Sequence, residues 1–310
     1  MNILITRHDK IGDFITMLPV CKVLKEQTKH KIVVLVSKVN LPLAKNLPFI
    51  DDVIEYSDDE VTLLKRLAPF KFDISISGYI EFKLGLCLFL ARIPKRIAPA
   101  TKIAQIFFNN KVKQRRSKVE KTEYQYNLDL VKKFDDSLNL EFKRPLLDIK
   151  NIKSNSEEFI IFHPGFGGSS DGNLKLKDYI SLAKKALEFT NVVFTFGPDD
   201  KEIKKEVQRY ISSDNLQITI RDDFKDIWEL TQFISTSKLF VSTSTGPMHL
   251  AGLTNTSTLS FFGSNLFASS KRWATISDKN LQNNFETPLN YDEQFYKKVE
   301  DTMINIIKGK

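Results

Sequence analysis

The stretch that decides the fold is Asn2-Ile3-Leu4-Ile5-Thr6, followed at once by residues 7–13, Arg-His-Asp-Lys-Ile-Gly-Asp. The aliphatic, β-branched run predicts a buried strand. Residues 11–25 carry apolar side chains near helical spacing and predict a helix, which Pro19 can kink or delay. A buried strand that leads directly into a helix is the opening of a parallel strand–helix–strand unit.

The same alternation continues along the chain. In the first half we expect strands at 31–36, 53–54 and 72–77, and helices at 41–47, 61–67, 82–91 and 124–138. Residues 139–157 lose periodicity and predict a linker. In the second half we expect strands at 159–162, 192–196, 216–220, 239–241 and 258–262, and helices at 176–189, 201–211, 226–235, after Pro247 and at 291–308. The pattern predicts an α/β protein with two helix-covered parallel sheets, whose ligands bind in a cleft at the carboxyl ends of the strands.

The composition bounds the class of protein. A chain of 310 residues is long enough for two domains. Its two cysteines, Cys21 and Cys87, lie in apolar stretches and predict buried free thiols rather than a disulfide framework. The amino terminus is charged within seven residues, and no apolar run approaches the roughly 20 residues that span a bilayer. We therefore expect a soluble cytoplasmic protein.

The charge is positive, with 46 basic and 38 acidic residues. This balance favours anionic partners, although from charge alone lysines dispersed over solvated faces are the first explanation. One cluster is denser: between Lys111 and Lys121 the only acid is Glu120. It predicts contact with acceptor phosphates or an anionic membrane surface, or else a solvated loop. Neither an aromatic-rich basic strand nor zinc-ligand spacing indicates nucleic-acid binding.

The polar segment after the first strand has two interpretations. Gly12 permits a tight turn or the close approach of a ligand to the backbone. Asp13 stands at a helix start, where aspartate is a favoured cap, and its position alone favours capping over chemistry. Neither a G-x-G-x-x-G fingerprint nor a phosphate loop of the G-x-x-x-x-G-K-[ST] type occurs in the chain.

Two further segments follow predicted strands of the second half. His163-Pro164-Gly165 and the glycines and serines that follow it can present N–H and hydroxyl groups to phosphate, or can simply turn the chain. In the segment 242–251, Pro247 suits a first helical turn. The hydroxyls of Ser244 and Thr245 then form an anion site with the helix start, or serve only as caps.

Taken in order, these segments resemble glycosyltransferase family 9, the heptosyltransferase family. The resemblance rests on Arg7 with Ile11-Gly12-Asp13 and Pro19; Phe72-Asp73-Ile74 with Arg96-Ile97; His163-Pro164-Gly165; Phe196-Gly197-Pro198 with Asp200; Ser244 to Ala251; and Phe262-Gly263-Ser264 with Trp273.

This resemblance implies a B-type glycosyltransferase fold with two Rossmann-like domains facing a cleft. Residues 1–150 would bind the acceptor, residues 151–290 the donor, and a helix at 291–310 would cross back onto the first domain. It implies an inverting transfer that uses neither metal nor cofactor, with Asp13 as general base. The donor-binding residues would be His163, Gly165, Ser169, Lys175, Gly197, Ser244, Thr245, Gly246, Pro247 and His249. The acceptor-binding residues would be Arg7, Lys10, Gly12, Lys113, Arg115 and Arg116.

The implied partners are a nucleotide-sugar donor, ADP-heptose first, and a lipid-linked or phosphorylated saccharide acceptor of the lipopolysaccharide core. The implied location is the cytoplasm, including the inner face of the cytoplasmic membrane. The chain departs from the family pattern in two places. Ser244 stands where many members have Asp. Many members also carry a Lys and a Trp-Pro pair before the helix that follows His-Pro-Gly, whereas here Leu174 takes the Trp position and Lys175 is a displaced substitute for the Lys. These departures bear on which sugar is carried. A nucleotide-sugar epimerase or hydrolase, or a non-catalytic binding protein, remains open on the same scaffold.

Overall fold

The computed structural model describes residues 1–149, 158–165 and 172–309. The chain divides into two compact units: unit 1 is Met1–Leu146 with Asp226–Trp228, and unit 2 is Leu147–Lys225 with Glu229–Lys310. The boundary expected between residues 150 and 151 lies outside the described residues, close to the change of unit after Leu146.

Unit 1 holds a six-stranded parallel sheet in the order β3-β2-β1-β4-β5-β6. Its strands are β1 (Asn2–Thr6), β2 (Lys31–Val36), β3 (Asp52–Glu55), β4 (Ile74–Ser77), β5 (Lys95–Pro99) and β6 (Asn110–Val112). Its helices are α1 (Ile11–Gln27), α2 (Leu41–Ala44), α3 (Glu60–Leu67), α4 (Phe82–Leu90) and α5 (Glu123–Phe134). Short 3₁₀ turns lie at Lys38–Asn40, Ala68–Phe70, Ile103–Phe107 and Arg116–Lys118.

Unit 2 repeats this architecture with the order β12-β11-β10-β7-β8-β9, again parallel throughout. Its strands are β7 (Phe159–His163), β8 (Asn191–Phe194), β9 (Ile218–Ile220), β10 (Leu239–Thr243), β11 (Thr258–Gly263) and β12 (Gln282–Thr287). The helices of the second half are α6 (Leu176–Ala186), α7 (Lys201–Ser213), α8 (Ile227–Ser235), α9 (Gly246–Leu253), α10 (Ser270–Trp273) and α11 (Glu293–Ile307).

The central strands explain why the fold could be predicted. Ile3, Leu4 and Ile5 of β1 are all buried, as is every residue of β7. Strands covered by helices on both faces need continuous apolar runs, and these segments supply them. The two helix-covered parallel sheets are therefore confirmed.

Two details differ from the sequence expectations. Helix α1 runs through Pro19 without a break, and its residues from Phe14 to Leu24 are almost all buried, so packing against the sheet favours one continuous helix. The predictions also missed β5, β6 and β12, whose charged or polar sequences lack the alternation of a half-buried strand. β6 and β12 are edge strands, where polar and charged side chains are tolerated.

The last helix, α11, contributes to the core of unit 2. Val299, Met303 and Ile307 recur at a spacing of four and form one face of α11. This face lies in the core of unit 2, where α11 packs against α6. The expected packing of this helix on the first domain stays a prediction.

Two expectations from composition can be compared with the structure. Cys21 and Cys87 are free and buried, and burial raises the pKa of both thiols. In the three described ranges, none of the helices combines the length and the apolar character that crossing a bilayer requires.

Candidate active site

In unit 1, a buried arginine gathers three carboxylates at the end of β1. Arg7 follows the strand directly, and its side chain is only 4% exposed. Its Nε donates to Asp9 Oδ1 at 2.8 Å, its Nη2 donates to Asp13 Oδ1, and its Nη1 lies 3.6 Å from Glu123 Oε1. Nη1 also donates to the carbonyl of Gly78 at 3.1 Å. A buried guanidinium needs such partners to offset its loss of hydration.

The position of this cluster follows from the sheet topology. β1 and β4 are neighbours, and the chain leaves them toward opposite edges of the sheet, so a topological switch point lies between them. Arg7 follows β1 and Gly78 follows β4, so their hydrogen bond joins the two carboxyl ends. Ligands of open α/β sheets bind at such points. The cluster therefore occupies the expected place for a ligand site in unit 1.

Asp13 is not the cap of α1. The cap position belongs to Lys10, and Asp13 lies in the first helical turn with its carboxylate turned to Arg7. Burial raises its pKa to about 6, and the charges of Asp9 and Glu123 add to this effect, while Arg7 opposes it. A helix start by itself lowers a carboxylate pKa, so here burial and like charges outweigh that influence. The result is a base that ionises just below neutral pH.

A second arginine completes the cluster from α5 and the turn before it. Arg116 Nη1 donates to Glu123 Oε1, so this buried carboxylate is shared between two arginines. One turn further along α5, the amide of Asn127 donates to the carbonyl and the hydroxyl of Thr16, both at 3.1 Å. These bonds fix α5 against α1. With both arginines and all three carboxylates ionised, the cluster carries one surplus negative charge.

The structure separates the predicted acceptor residues into two groups. Arg7, Gly12 and Arg116 lie in or beside the cluster that holds Asp13. Lys10, Lys113 and Arg115 are exposed at the surface of unit 1. Acceptor binding remains a prediction for both groups.

Sequence reasoning missed Glu123, which is 1% exposed although glutamate is rarely buried. Its position in the first turn of a helix looks like ordinary helix-end charge, so no local signal marks it.

A second polar cluster next to β1 was also missed. The His8 ring stacks on Tyr56 at 4.0 Å between centroids, and its Nε2 lies 3.0 Å from Glu81 Oε1. Tyr56 donates its hydroxyl to the same oxygen. The hydrogen bond from His8 holds the pKa of Glu81 at about 2, so this carboxylate stays ionised. His8 is part of the quoted opening stretch, and only the fold pairs it with Glu81.

In unit 2, two of the predicted donor segments leave neighbouring strands at one edge. β7 and β10 are paired in parallel, with His163 opposite Ser242. The segment that begins at His163 and the segment from Ser244 therefore start side by side at the carboxyl ends of their strands. From β7 the chain continues to β8 on one side of this pair, and from β10 it continues to β11 on the other side. The topological switch point of the second sheet therefore lies between β7 and β10.

A carboxylate organises the first of these segments. Asp200 Oδ2 accepts the backbone N–H of Gly197 at 2.7 Å. A Cβ on Gly165 would lie 2.1 Å from the same oxygen, so this position accepts only glycine without rearrangement. His163 Nδ1 lies 3.0 Å from Thr195 Oγ1, and burial lowers the pKa of His163 to about 4, although Asp200 opposes the shift. His163 is therefore neutral near pH 7.

The second segment forms the start of α9. Thr245 occupies the cap position and Pro247 lies in the first turn, as predicted. Among the described residues, Thr245 Oγ1 and His249 Nδ1 are buried without a hydrogen-bond partner. Burial lowers the pKa of His249 to about 4, so its ring is neutral. Buried polar atoms normally have partners, so these two of the nine such atoms in the described residues are candidate contacts for a polar ligand.

Of two other predicted donor residues, the structure describes only Lys175. The ammonium of Lys175 lies over the Tyr291 ring at 5.3 Å, and its backbone N–H donates to the Tyr291 hydroxyl. Ser169 lies outside the described residues.

The family model of glycosyltransferase family 9 (heptosyltransferase) matches residues 62–300. A candidate glycosyltransferase of Haemophilus influenzae is 33% identical, covering 94% of this chain and 91% of its own. Lipooligosaccharide heptosyltransferase 2 of Campylobacter jejuni serotype O:2 is 25% identical, covering 90% and 86%.

Solved structures show the same fold at low sequence identity. E. coli ADP-heptose lps heptosyltransferase II aligns with a TM-score of 0.81 at 16% identity, covering 100% of this chain and 99% of its own. E. coli heptosyltransferase WaaC with ADP gives 0.80 at 13% identity, covering 99% and 100%. A UDP-GlcNAc 2-epimerase from Neisseria meningitidis gives only 0.53 at 12% identity, covering 99% and 92%. The family match, which spans most of the chain, and the 33% identical relative lead to one conclusion: this chain belongs to glycosyltransferase family 9, and it is a glycosyltransferase.

Proposed function

We propose that the enzyme transfers heptose from ADP-heptose to a saccharide acceptor of the lipopolysaccharide core, with inversion and without a metal ion. The observation that carries the proposal is the partly buried Asp13 carboxylate beside Arg7, with its pKa raised to about 6. A general base works best when its pKa lies near the operating pH.

In the proposed reaction, an acceptor hydroxyl attacks the anomeric carbon of the donor. Asp13 takes the hydroxyl proton as the new carbon–oxygen bond forms. The bond to the diphosphate breaks with both electrons staying on the departing oxygen. The N–H groups at the start of α9, with the hydroxyls of Ser244 and Thr245, would stabilise that negative charge.

The ionic contacts of the paired acids support a metal-independent reaction. Asp58 pairs with Lys83, and Asp59 caps α3. In unit 2, Asp222 pairs with Lys204 and Asp223 with Arg221. These carboxylates thus have structural partners of their own.

The choice of donor and acceptor rests on the relatives. One structural neighbour is named for ADP-heptose and another is described with ADP, which supports an adenine nucleotide. The Campylobacter relative is named for lipooligosaccharide, which supports a phosphorylated or lipid-linked saccharide acceptor. Exposed cations of unit 1, among them Lys10, Lys113 and Arg115, are suited to acceptor phosphates or to the inner face of the membrane.

The pH dependence of the reaction tests the base directly. Because Asp13 must be ionised, we expect kcat/KM to fall below about pH 6, by roughly tenfold per pH unit. Glu123 raises the Asp13 pKa, so Glu123→Gln should move this limb to lower pH. The measurement is kcat/KM from pH 4.5 to 8.5 for both proteins. A limb that stays in place in the variant contradicts the assignment.

A threonine pair tests the diphosphate site. Thr245→Val removes a hydroxyl that has no partner among the described residues, so we expect about tenfold weaker ADP binding and an unchanged unfolding temperature. Thr243→Val is the control, because its hydroxyl donates to the carbonyls of Phe261 and Gly172. That variant should lose stability. Calorimetric titration with ADP and thermal unfolding separate the two effects, and equal ADP affinity in wild type and Thr245→Val counts against the site.

The overall proposal is tested by ligand screening followed by a transfer assay. A ligand that binds only the folded state raises the unfolding temperature. If the donor is an adenine nucleotide, ADP should raise this temperature more than UDP or GDP. ADP-heptose should then lose its sugar only when a core acceptor is present. Donor turnover without acceptor would instead favour an epimerase or hydrolase, and stabilisation by UDP alone would exclude the adenine donor.

A further inference from the structure

Helix α4 carries apolar side chains on two opposite faces. Its inner face, with Leu84, Cys87 and Leu88, is fully buried in the core of unit 1. A surface helix normally turns polar residues outward. Here the outward positions are Phe82, Leu86, Phe89 and Leu90, which follow the spacing of one helical face. Three of them are exposed large apolar residues: Phe82 at 56%, Phe89 at 51% and Leu90 at 52%.

The neighbouring 3₁₀ turn extends this surface. Ile103 is 79% exposed and Ile106 is 64% exposed. The ring of Phe107 lies between turn and helix, 4.9 Å from the Phe82 ring and 6.3 Å from the Phe89 ring. We call the five exposed residues, Phe82, Phe89, Leu90, Ile103 and Ile106, the apolar patch. These five residues are among the twelve exposed large apolar side chains in the described residues. Their clustering in one helix and one turn distinguishes them from singly exposed apolar residues, which are normal at a protein surface.

The same segment holds the positive charge of the protein. Residues 82–119 contain no Asp or Glu and ten basic residues, while the rest of the chain holds 36 basic and 38 acidic residues. The net charge of +8 therefore comes entirely from this segment. Among its cations, Arg92, Lys102, Lys111, Lys113, Arg115 and Lys118 are exposed.

We propose that the apolar patch and the exposed cations of residues 82–119 bind an anionic phospholipid surface. The apolar side chains would enter the interface while the cations contact lipid phosphates, which is the composition that interfacial binding requires. A second copy of this chain fits less well, because it would bring an equal surplus of cations against the first. This inference rests on the proposed function, because binding to the membrane would bring the enzyme to a lipid-linked acceptor. Lipid binding itself can be measured without any transfer reaction.

The experiment is sedimentation of the full chain with vesicles. We expect binding to vesicles that contain phosphatidylglycerol, weak binding to pure phosphatidylcholine, and release as salt rises. Each cation near the surface strengthens binding by about 1 kcal/mol, or about fivefold. Lys102→Gln/Lys111→Gln/Lys118→Gln should therefore weaken binding on the order of 100-fold. Phe89→Ser/Ile106→Ser should weaken it by roughly tenfold for each side chain that enters the bilayer.

Matched controls come from exposed positions elsewhere. Lys29→Gln/Lys45→Gln/Lys177→Gln removes three exposed charges, and Leu289→Ser removes an apolar side chain that is 81% exposed. Both should bind vesicles like the wild type. Equal binding to both vesicle types, or equal losses in test and control variants, would overturn the proposal. So would a Phe89→Ser/Ile106→Ser variant that binds normally, or a patch-dependent dimer that excludes vesicles.

Stabilisation by ADP, measured on the same variants, keeps the two proposals apart. We expect it to persist in every surface variant, since the predicted donor residues belong to another unit. Vesicle binding without ADP stabilisation would reject the adenine donor alone, and ADP stabilisation without vesicle binding would reject the lipid surface alone.

Discussion

Replacing Asp13 with asparagine is expected to lower kcat by about 10²- to 10⁴-fold while leaving donor affinity unchanged. Asparagine keeps the shape of the side chain and an oxygen for Arg7, but it accepts no proton from the acceptor. The measurement is steady-state transfer with a core acceptor, together with ADP titration of the same preparation. Because the unfolding temperature should not fall, lost activity can be assigned to chemistry.

Asp9→Asn is the matched control for this experiment. Asp9 accepts from the same arginine at 2.8 Å, so both variants remove one negative charge from one cluster. If Asp13 alone is the base, Asp9→Asn should cost far less in kcat and should mainly lower the Asp13 pKa, which Asp9 raises. Equal losses in both variants, or an Asp13→Asn enzyme with near-normal turnover, would contradict the role of Asp13.

Arg7→Gln should have the largest effect on stability, a loss of about 3–5 kcal/mol at neutral pH. The substitution leaves three carboxylates around a site that lacks its central cation. Arg7 lowers the pKa of Asp13, so that pKa would rise in the variant, and the loss should shrink as the pH falls and Asp13 becomes protonated. Urea unfolding at pH 7.5 and pH 5 measures both effects, and activity should fall with the lost geometry of Asp13.

The control is Arg115→Gln, an exposed arginine of the same unit. A surface substitution of this kind should change the free energy of unfolding by less than about 0.5 kcal/mol. If Arg7→Gln is equally mild, or its deficit grows at pH 5, then Arg7 does not balance the charges of the three carboxylates.

The fold could be predicted where the residues of a segment themselves determine its secondary structure. β1 and β2 are continuous apolar runs, and burial on both faces allows little else there. β5 and β12 could not be found in this way, because Lys95-Arg96 and Gln282-Asn283-Asn284 become strand only by pairing with neighbours already in the sheet. The packing of α11 was likewise decided by long-range contacts in unit 2.

The site could be predicted only in its opening segments. Arg7 and Asp13 are close in sequence and stand where a strand meets a helix, so their region could be identified. Glu123 reaches Arg7 across more than one hundred residues, and Glu81 reaches His8 across 73. The spacing of neighbouring residues in the sequence does not indicate these two contacts. The raised pKa of Asp13 could not be anticipated either, since it depends on burial and on those distant charges.

The surplus negative charge beside Arg7 has an evolutionary consequence. Because the pKa of Asp13 is raised from 3.8 to about 6, the stability present below pH 3.8 is lost as the pH passes 6. At neutral pH the ionised Asp13 carboxylate therefore lowers the free energy of unfolding, and asparagine at this position removes that loss of stability. Laboratory selection for heat resistance alone would enrich chains that no longer catalyse, so any screen for a sturdier variant has to select for turnover at the same time.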